Sequence, residues 1–179
     1  MRLIFAIGFA FFTTFSFAQE IKWMTFEDAQ KAQKKVPKKI FVDAYTVWCG
    51  PCKMLDKNTF SNKDVASYIN KNYYPVKFNA EGNAIVYYKG KKYTNPNFNS
   101  SSTGRNSPHE LSGILGIRAY PTLLFLDEEA NLISPLTGYR TPTQLEIFLK
   151  MFNTDAHKNL TTQAAWEDYS SKFKYEFKD

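Results

Sequence analysis

The sequence predicts a single α/β domain, and three observations carry that expectation. Strand-type and helix-type segments alternate along one length of 179 residues, enough for one domain with a sizeable core. The strand-type segments are short apolar runs suited to burial, and several helix-type segments open with recognisable caps. The two cysteines stand together in Cys49-Gly50-Pro51-Cys52, so no scattered disulfide framework takes the place of a hydrophobic core.

The elements follow in order. Arg2, an apolar and aromatic run over residues 3–12, and small residues at Ser16 and Ala18 read as a secretory signal, with cleavage expected after Ala18. A retained membrane anchor is the alternative, but the run is at the lower limit of a bilayer span and no basic cluster follows it directly. Ile21 and Trp23, separated by Lys22, fit a short strand. Thr25-Phe26-Glu27-Asp28 looks like a helix cap with an acidic first turn, and helical spacing continues to Pro37. Residues 39–45 form a β-rich run in which Asp43 is the oddity. Helix is expected over residues 53–58 and again from Ser61-Asn62-Lys63-Asp64, and residues 74–79 read as the next strand.

From 82 to 107 the texture changes. Residues 85–88 and 91–93 fit a hairpin across Lys89-Gly90, and twelve of the fourteen residues 94–107 are Ser, Thr, Asn, Gly or Pro, which reads as loop. Ser107-Pro108-His109-Glu110 has the pattern of a capping box, placing His109 in the first turn of a short helix with Leu111, Ile114 and Leu115 inward and Gly116 at its end. Residues 122–126 read as a buried strand with an antiparallel partner at 132–136. Thr141 caps a final core helix through Leu145, Phe148, Leu149 and Phe152. Trp166, Tyr169, Phe173 and Phe177 lie at helical spacing in an outer helix.

Charge excludes some classes of function. Without Arg2, 22 basic and 17 acidic residues leave +5 (22 − 17). No block of five or six like charges occurs, and the basic stretch 31–39 is interrupted by Ala32, Gln33, Val36 and Pro37, so nucleic-acid binding is not expected.

The chemistry is concentrated in the cysteine pair. A thiol reacts as its thiolate, and the start of a helix stabilises that charge with free N–H groups and the positive end of the dipole. Pro51 sits where a first helical turn tolerates proline. The two-residue gap lets Cys52 turn back beneath Cys49 and close a small ring, expelling a bound thiol from a mixed disulfide. A static disulfide or half of a metal site is the competing reading, but a zinc site needs about four ligands and only His109 and His157 remain, neither at ligand spacing.

The string Phe41-Val42-Asp43-Ala44-Tyr45-Thr46-Val47-Trp48-Cys49-Gly50-Pro51-Cys52-Lys53, followed by Ile117-Arg118-Ala119-Tyr120-Pro121-Thr122 and Gly138, resembles the thioredoxin family over roughly a hundred residues. The resemblance implies a three-layer α/β/α thioredoxin fold with a mixed central sheet, here with a hairpin and loop insertion and an extra C-terminal helix. The expected layout is a signal at 1–18, a thioredoxin-like domain at 19–152 carrying the insertion 82–107, and a helical extension at 153–179. It implies that Cys49 is the exposed attacking thiol and Cys52 the buried resolving thiol. Pro121 would be cis, with Tyr120 offering backbone to an extended substrate segment. Trp48, Gly50 and Pro51 would border that segment. Asp43 matches the family's buried proton-handling carboxylate, and Lys77 a lysine that tunes it. From the residues alone, Asp43 is equally a hydrogen-bonded strand acid and Lys77 a solvent-facing one. Tyr45 stands where tryptophan is common, and the insertion, which contains no acidic residue, reads more as a solvated hairpin than as a partner site.

The expected reaction is thiol–disulfide exchange on protein substrates outside the cytosol, with no cofactor. Gly-Pro between the cysteines resembles the reducing members of the family. A disulfide oxidase or isomerase and a non-catalytic binding module are the alternatives. A reductase there needs a membrane-borne or thiol-protein electron donor, since the chain has no nicotinamide or flavin motif. The protein is expected to be a monomer in a periplasm, with a eukaryotic secretory lumen as the other compartment.

Overall fold

The structure, a computed structural model, describes residues 20–179. The expected signal and its cleavage point after Ala18 lie outside the described residues. No helix among the described residues is long and apolar enough to cross a membrane.

A four-stranded sheet of order β2-β1-β5-β6 forms the middle layer, from β1 (Ile40–Tyr45), β2 (Tyr74–Asn79), β5 (Thr122–Leu126) and β6 (Leu132–Thr137). β1 runs parallel to β2 and antiparallel to β5, which pairs antiparallel with β6, so the sheet is mixed. Alternation along β1 sorts the two cores. Val42 and Ala44 join Phe26 and Ala29 of α1 (Phe26–Gln33), Val76 and Phe78 of β2, and Leu111 of α4 (Glu110–Ile114). Phe41 points the other way, to Leu55 and Phe60, to Val65 and Ile69 of α3 (Lys63–Asn72), and to Leu145 and Leu149 of α5 (Pro142–Asn153). Asp43, two residues after Phe41, shares that second face. It is therefore on the side of the sheet covered by the helix that follows the cysteines.

Caps start most helices as the residue types dictate. Thr25 accepts from the Asp28 amide, Asn62 from Asp64 and Val65, and Thr141 forms a full capping box with Gln144. Four expectations need correction. Ile21 and Trp23 form no strand; the segment instead makes one isolated bridge from Met24 to Val76, since two alternating apolar residues are too few to build a ladder. The cysteine helix begins earlier, as α2 (Gly50–Met54), and widens into a π-helical stretch at Leu55–Phe60. His109 is the N-cap of α4 and not a first-turn residue: its Nδ1 accepts from the Leu111 amide and its Nε2 bonds the Ala84 carbonyl. Ile114, expected inward, is exposed because that one-and-a-half-turn helix buries only Leu111 and Ser112.

The insertion hairpin, β3 (Val86–Tyr88) and β4 (Lys91–Tyr93), turns through Lys89 and Gly90, both at positive φ. It is not simply solvated. Val86 and Tyr88 are buried in the α1-side core, and Gln30 of α1 bonds the backbone of both Tyr87 and Lys89. At the far end of β1, Lys39 is buried, its Nζ lying 2.8 Å from Glu128 and 2.9 Å from Asp155.

The C-terminal extension holds a 3₁₀ turn (Ala156–Asn159) and α6 (Gln163–Lys172). α6 is ten residues long and ends short of the expected Phe173 and Phe177, and Trp166, Tyr169 and Phe173 are only half-buried. The chain instead leaves the helix so that the amides of Glu176 and Phe177 reach the buried Glu146 carboxylate of α5 at 2.8–2.9 Å. Phe177 is buried there against Tyr68.

Candidate active site

Cys49 ends the loop after β1 and is the N-cap of α2. Its backbone is extended, its Sγ accepts from the Cys52 amide at 3.1 Å, and Pro51 occupies the first turn. Cys49 and Cys52 are joined by a disulfide, with Sγ–Sγ 2.10 Å. A sulfur in this position receives a helix-start N–H, the arrangement that favours a thiolate once the bond opens. Cys49 is not exposed as expected: 2% of its surface is accessible, against 3% for Cys52. The reason is local, since bonding to Cys52 and accepting its amide both turn the Cys49 sulfur inward onto the helix start. Gly50 stands beside it with open space above its Cα.

Asp43 is 1% exposed and paired in register with Lys77 of the parallel neighbour β2. The Lys77 ammonium lies 3.1 Å from Asp43 Oδ2 and also pairs with Asp56 of the π-helical stretch. Asp43 Oδ1 accepts no hydrogen bond. Burial pushes the Asp43 carboxyl up to about 6; the Lys77 charge pulls the other way and Asp56 adds to the rise. Burial lowers the affinity of Lys77 for its proton, but the two carboxylates outweigh it and raise its pKa overall. Aromatic faces of Trp23 and Tyr45 each lie 5.1 Å from the same ammonium.

The peptide bond between Tyr120 and Pro121 is cis, at the entrance to β5. Pro121 is buried, its carbonyl accepts from Gly138 at 2.8 Å, and Thr122 Oγ1 donates to the Ala119 carbonyl at 2.7 Å. The two signature segments meet through Trp48, whose ring packs edge-on against Tyr120 with centroids 5.8 Å apart. Trp48 Nε1 in turn donates to Glu81 Oε2 at 2.7 Å.

The structure thus brings Asp43 to Lys77, and Trp48, next to Cys49 in sequence, to Tyr120. It adds Asp56 and Glu81, which the sequence did not single out, and sets Arg105, one of several cations of the insertion, over Trp48. Asp56 carried no signal beyond being an acid on a helix, and Glu81 and Arg105 lie in two loops, before and after the hairpin, whose paths no periodicity encodes. Among the described residues, no group of three or more His, Cys, Asp or Glu is placed to hold a metal ion.

A family model for the thioredoxin-like domain matches residues 26–153. The chain belongs to the thioredoxin-like family. The matched stretch runs from the start of α1 to the end of α5. A candidate disulphide-isomerase from Bacteroides thetaiotaomicron is 29% identical, with a TM-score of 0.53 over 76% of this chain and 96% of that one. A thioredoxin-fold protein from Helicobacter pylori shares the fold at 15% identity, TM-score 0.58, over 75% of this chain and 81% of that one. So does a thioredoxin from Thermus thermophilus, at 15% identity and TM-score 0.53, over 78% and 89%. No curated protein matches the sequence. The arrangement is a thioredoxin-like thiol–disulfide oxidoreductase fold with a Cys-x-x-Cys pair.

Proposed function

We propose that this chain carries out thiol–disulfide exchange on protein substrates outside the cytosol, acting as a reductase. The observation that carries the reading is the Cys49–Cys52 pair at the mouth of α2, with the Cys49 sulfur receiving a helix-start amide. In the dithiol state, Cys49 as thiolate attacks one sulfur of a substrate disulfide. A Cys49–substrate bond forms and the first substrate thiol leaves. Cys52, losing its proton to the buried carboxylate of Asp43, then attacks the Cys49 sulfur. The enzyme disulfide forms and the second substrate thiol departs, so two electrons have passed to the substrate. Asp43 suits that role because its raised pKa lets it hold or give up a proton near neutrality. The backbone of Tyr120 would pair with an extended substrate segment, Trp48, Gly50 and Pro51 flanking it. A dithiol donor, membrane-borne or another thiol protein, resets the pair.

The reductase direction rests on Gly-Pro between the cysteines, and export to a periplasm on the segment from Arg2 to Ala18. The test is the equilibrium potential against a glutathione buffer. A value near that of thioredoxin, about −270 mV, is expected, and one near about −120 mV overturns the reductase reading. A second reading, disulfide isomerisation, is favoured by the relative from Bacteroides thetaiotaomicron. Recovery of activity in a scrambled-disulfide substrate without net change in thiol content would establish it.

A further inference from the structure

The insertion has two halves with different destinations. The hairpin is fastened to α1, as described above. Residues 94–107 instead run back to the mouth of α2 and are held there by their own polar side chains. Asn99 and Asn106 clasp each other across the loop, at 2.9 and 2.8 Å. Asn95 and Ser107 close its base through two further bonds of 2.7 Å. The Asn106 amide then donates to Glu81 Oε2 at 2.8 Å, the same oxygen that takes the Trp48 indole N–H. One carboxylate therefore ties the loop and the tryptophan beside Cys49 into a single unit.

Arg105, next to Asn106, is placed by that clamp with its guanidinium 4.6 Å from the centre of the Trp48 ring. The side chain is exposed and makes no ion pair among the described residues. A guanidinium over a ring face keeps its in-plane donors available for a carboxylate. Two other exposed cations lie on the segments that build the site: Lys53 directly after Cys52, and Arg118 two residues before Tyr120. Glu81 is committed to Trp48 and Asn106, and the insertion itself has no acidic residue. A polypeptide laid along Tyr120 passes the Arg105 guanidinium over Trp48, with Glu81 the one acid whose charge also reaches Tyr120 among the described residues.

We propose that Arg105, set over Trp48 by the 94–107 loop whose Asn106 amide is tied to Glu81, selects protein segments carrying an Asp or Glu beside their reactive cysteine. The inference rests on the exchange reading and names the substrate class for that same site. A rigidly presented cation discriminates through the charge of its partner, and the discrimination weakens with added salt.

The test uses three disulfide peptides, identical except for Glu, Gln or Lys in the position before the cysteine, reduced by the full chain in its dithiol form. The Glu peptide is expected to have a kcat/KM on the order of 3- to 10-fold higher at low ionic strength, with the gap narrowing in 0.5 M salt, as for about one partly screened ion pair. Arg105→Gln is expected to remove the preference, and Arg105→Glu to reverse it toward a Lys peptide. Equal rates for the Glu and Gln peptides in the unmodified chain, or a preference that survives both substitutions, would overturn the proposal. Turnover of none of the three would strike the exchange reading itself.

Discussion

Asp43 and Glu146 are both carboxylates withdrawn from water, yet the protein surrounds them in opposite ways. Glu146, on α5, accepts three hydrogen bonds from the amides of Glu176 and Phe177 and lies 2.6 Å from Lys150. Asp43, on β1, has one oxygen on Lys77 and the other with no donor, and it shares that lysine with Asp56. A buried acid saturated with donors is an anchor, because every lone pair is committed and removing it strands its partners. A buried acid left under-supplied keeps its proton to higher pH. Burial alone does not separate the two; the number of donors aimed at each oxygen does.

The largest expected effect lies at the thiols themselves. Cys49→Ser should lower exchange with a protein disulfide by at least about 10³-fold, since it removes the sulfur that receives the helix-start amide. Cys52→Ala should accumulate mixed disulfides through Cys49, visible as adducts by mass spectrometry. Full exchange by either variant would remove the chemical half of the contrast.

The anchor half is tested by Glu146→Ala, which strands two backbone amides and leaves Lys150 with Glu176 alone. A loss of about 2–4 kcal/mol in urea unfolding is expected, with the exchange rate of the folded fraction unchanged. A loss of exchange with stability intact would show that the tail strap serves the site and not the fold.

Asp43→Asn sharpens the comparison through pH. With its pKa raised from 3.8 to about 6 by burial, Asp43 binds its proton more tightly in the folded chain than in the unfolded one. Its stabilising contribution is complete below the unfolded value and is lost as pH rises through the folded one. Relative to the unmodified chain, the Asn variant should match in stability near pH 3.5 and gain about 1–3 kcal/mol by pH 8, with the difference developing between about pH 4 and 6. The same substitution should slow the Cys52 resolution step and flatten its rise across that range, read by rapid-quench mixing with a protein disulfide. The smallest effect is expected of Asp56→Asn. Lys77 would then belong to Asp43 alone, and the Asp43 midpoint should move to lower pH in a carboxyl-carbon NMR titration.

The same contrast explains what was legible in the sequence. Strand β5 is apolar after its opening threonine, β1 is interrupted only by Asp43 and β2 keeps apolar residues around Lys77, and α5 carries Thr141 and Gln144 at capping-box spacing, so their existence and limits could be read directly. Cys49, Cys52 and Pro121 stood out through contiguous motifs. Glu146 did not, because an acid on an amphipathic helix looks solvated until the chain returns thirty residues later to cover it. His109 was misplaced because Ser107 and Glu110 mimic a cap and histidine is an uncommon one. The placement of Arg105 and Glu81 was hidden for a related reason. A loop rich in Asn and Ser advertises only that it is not helix or strand, while the bonds that give it one shape run between side chains.

Lys39 offers a practical consequence. Its amine is enclosed where β1, the β5–β6 turn and the end of α5 converge, while most other lysines of the chain stand in solvent. An acylating reagent should modify those neighbours quickly and reach Lys39 only when that corner opens, so the lag of its label in a peptide digest clocks the breathing of the end of the molecule opposite the thiols.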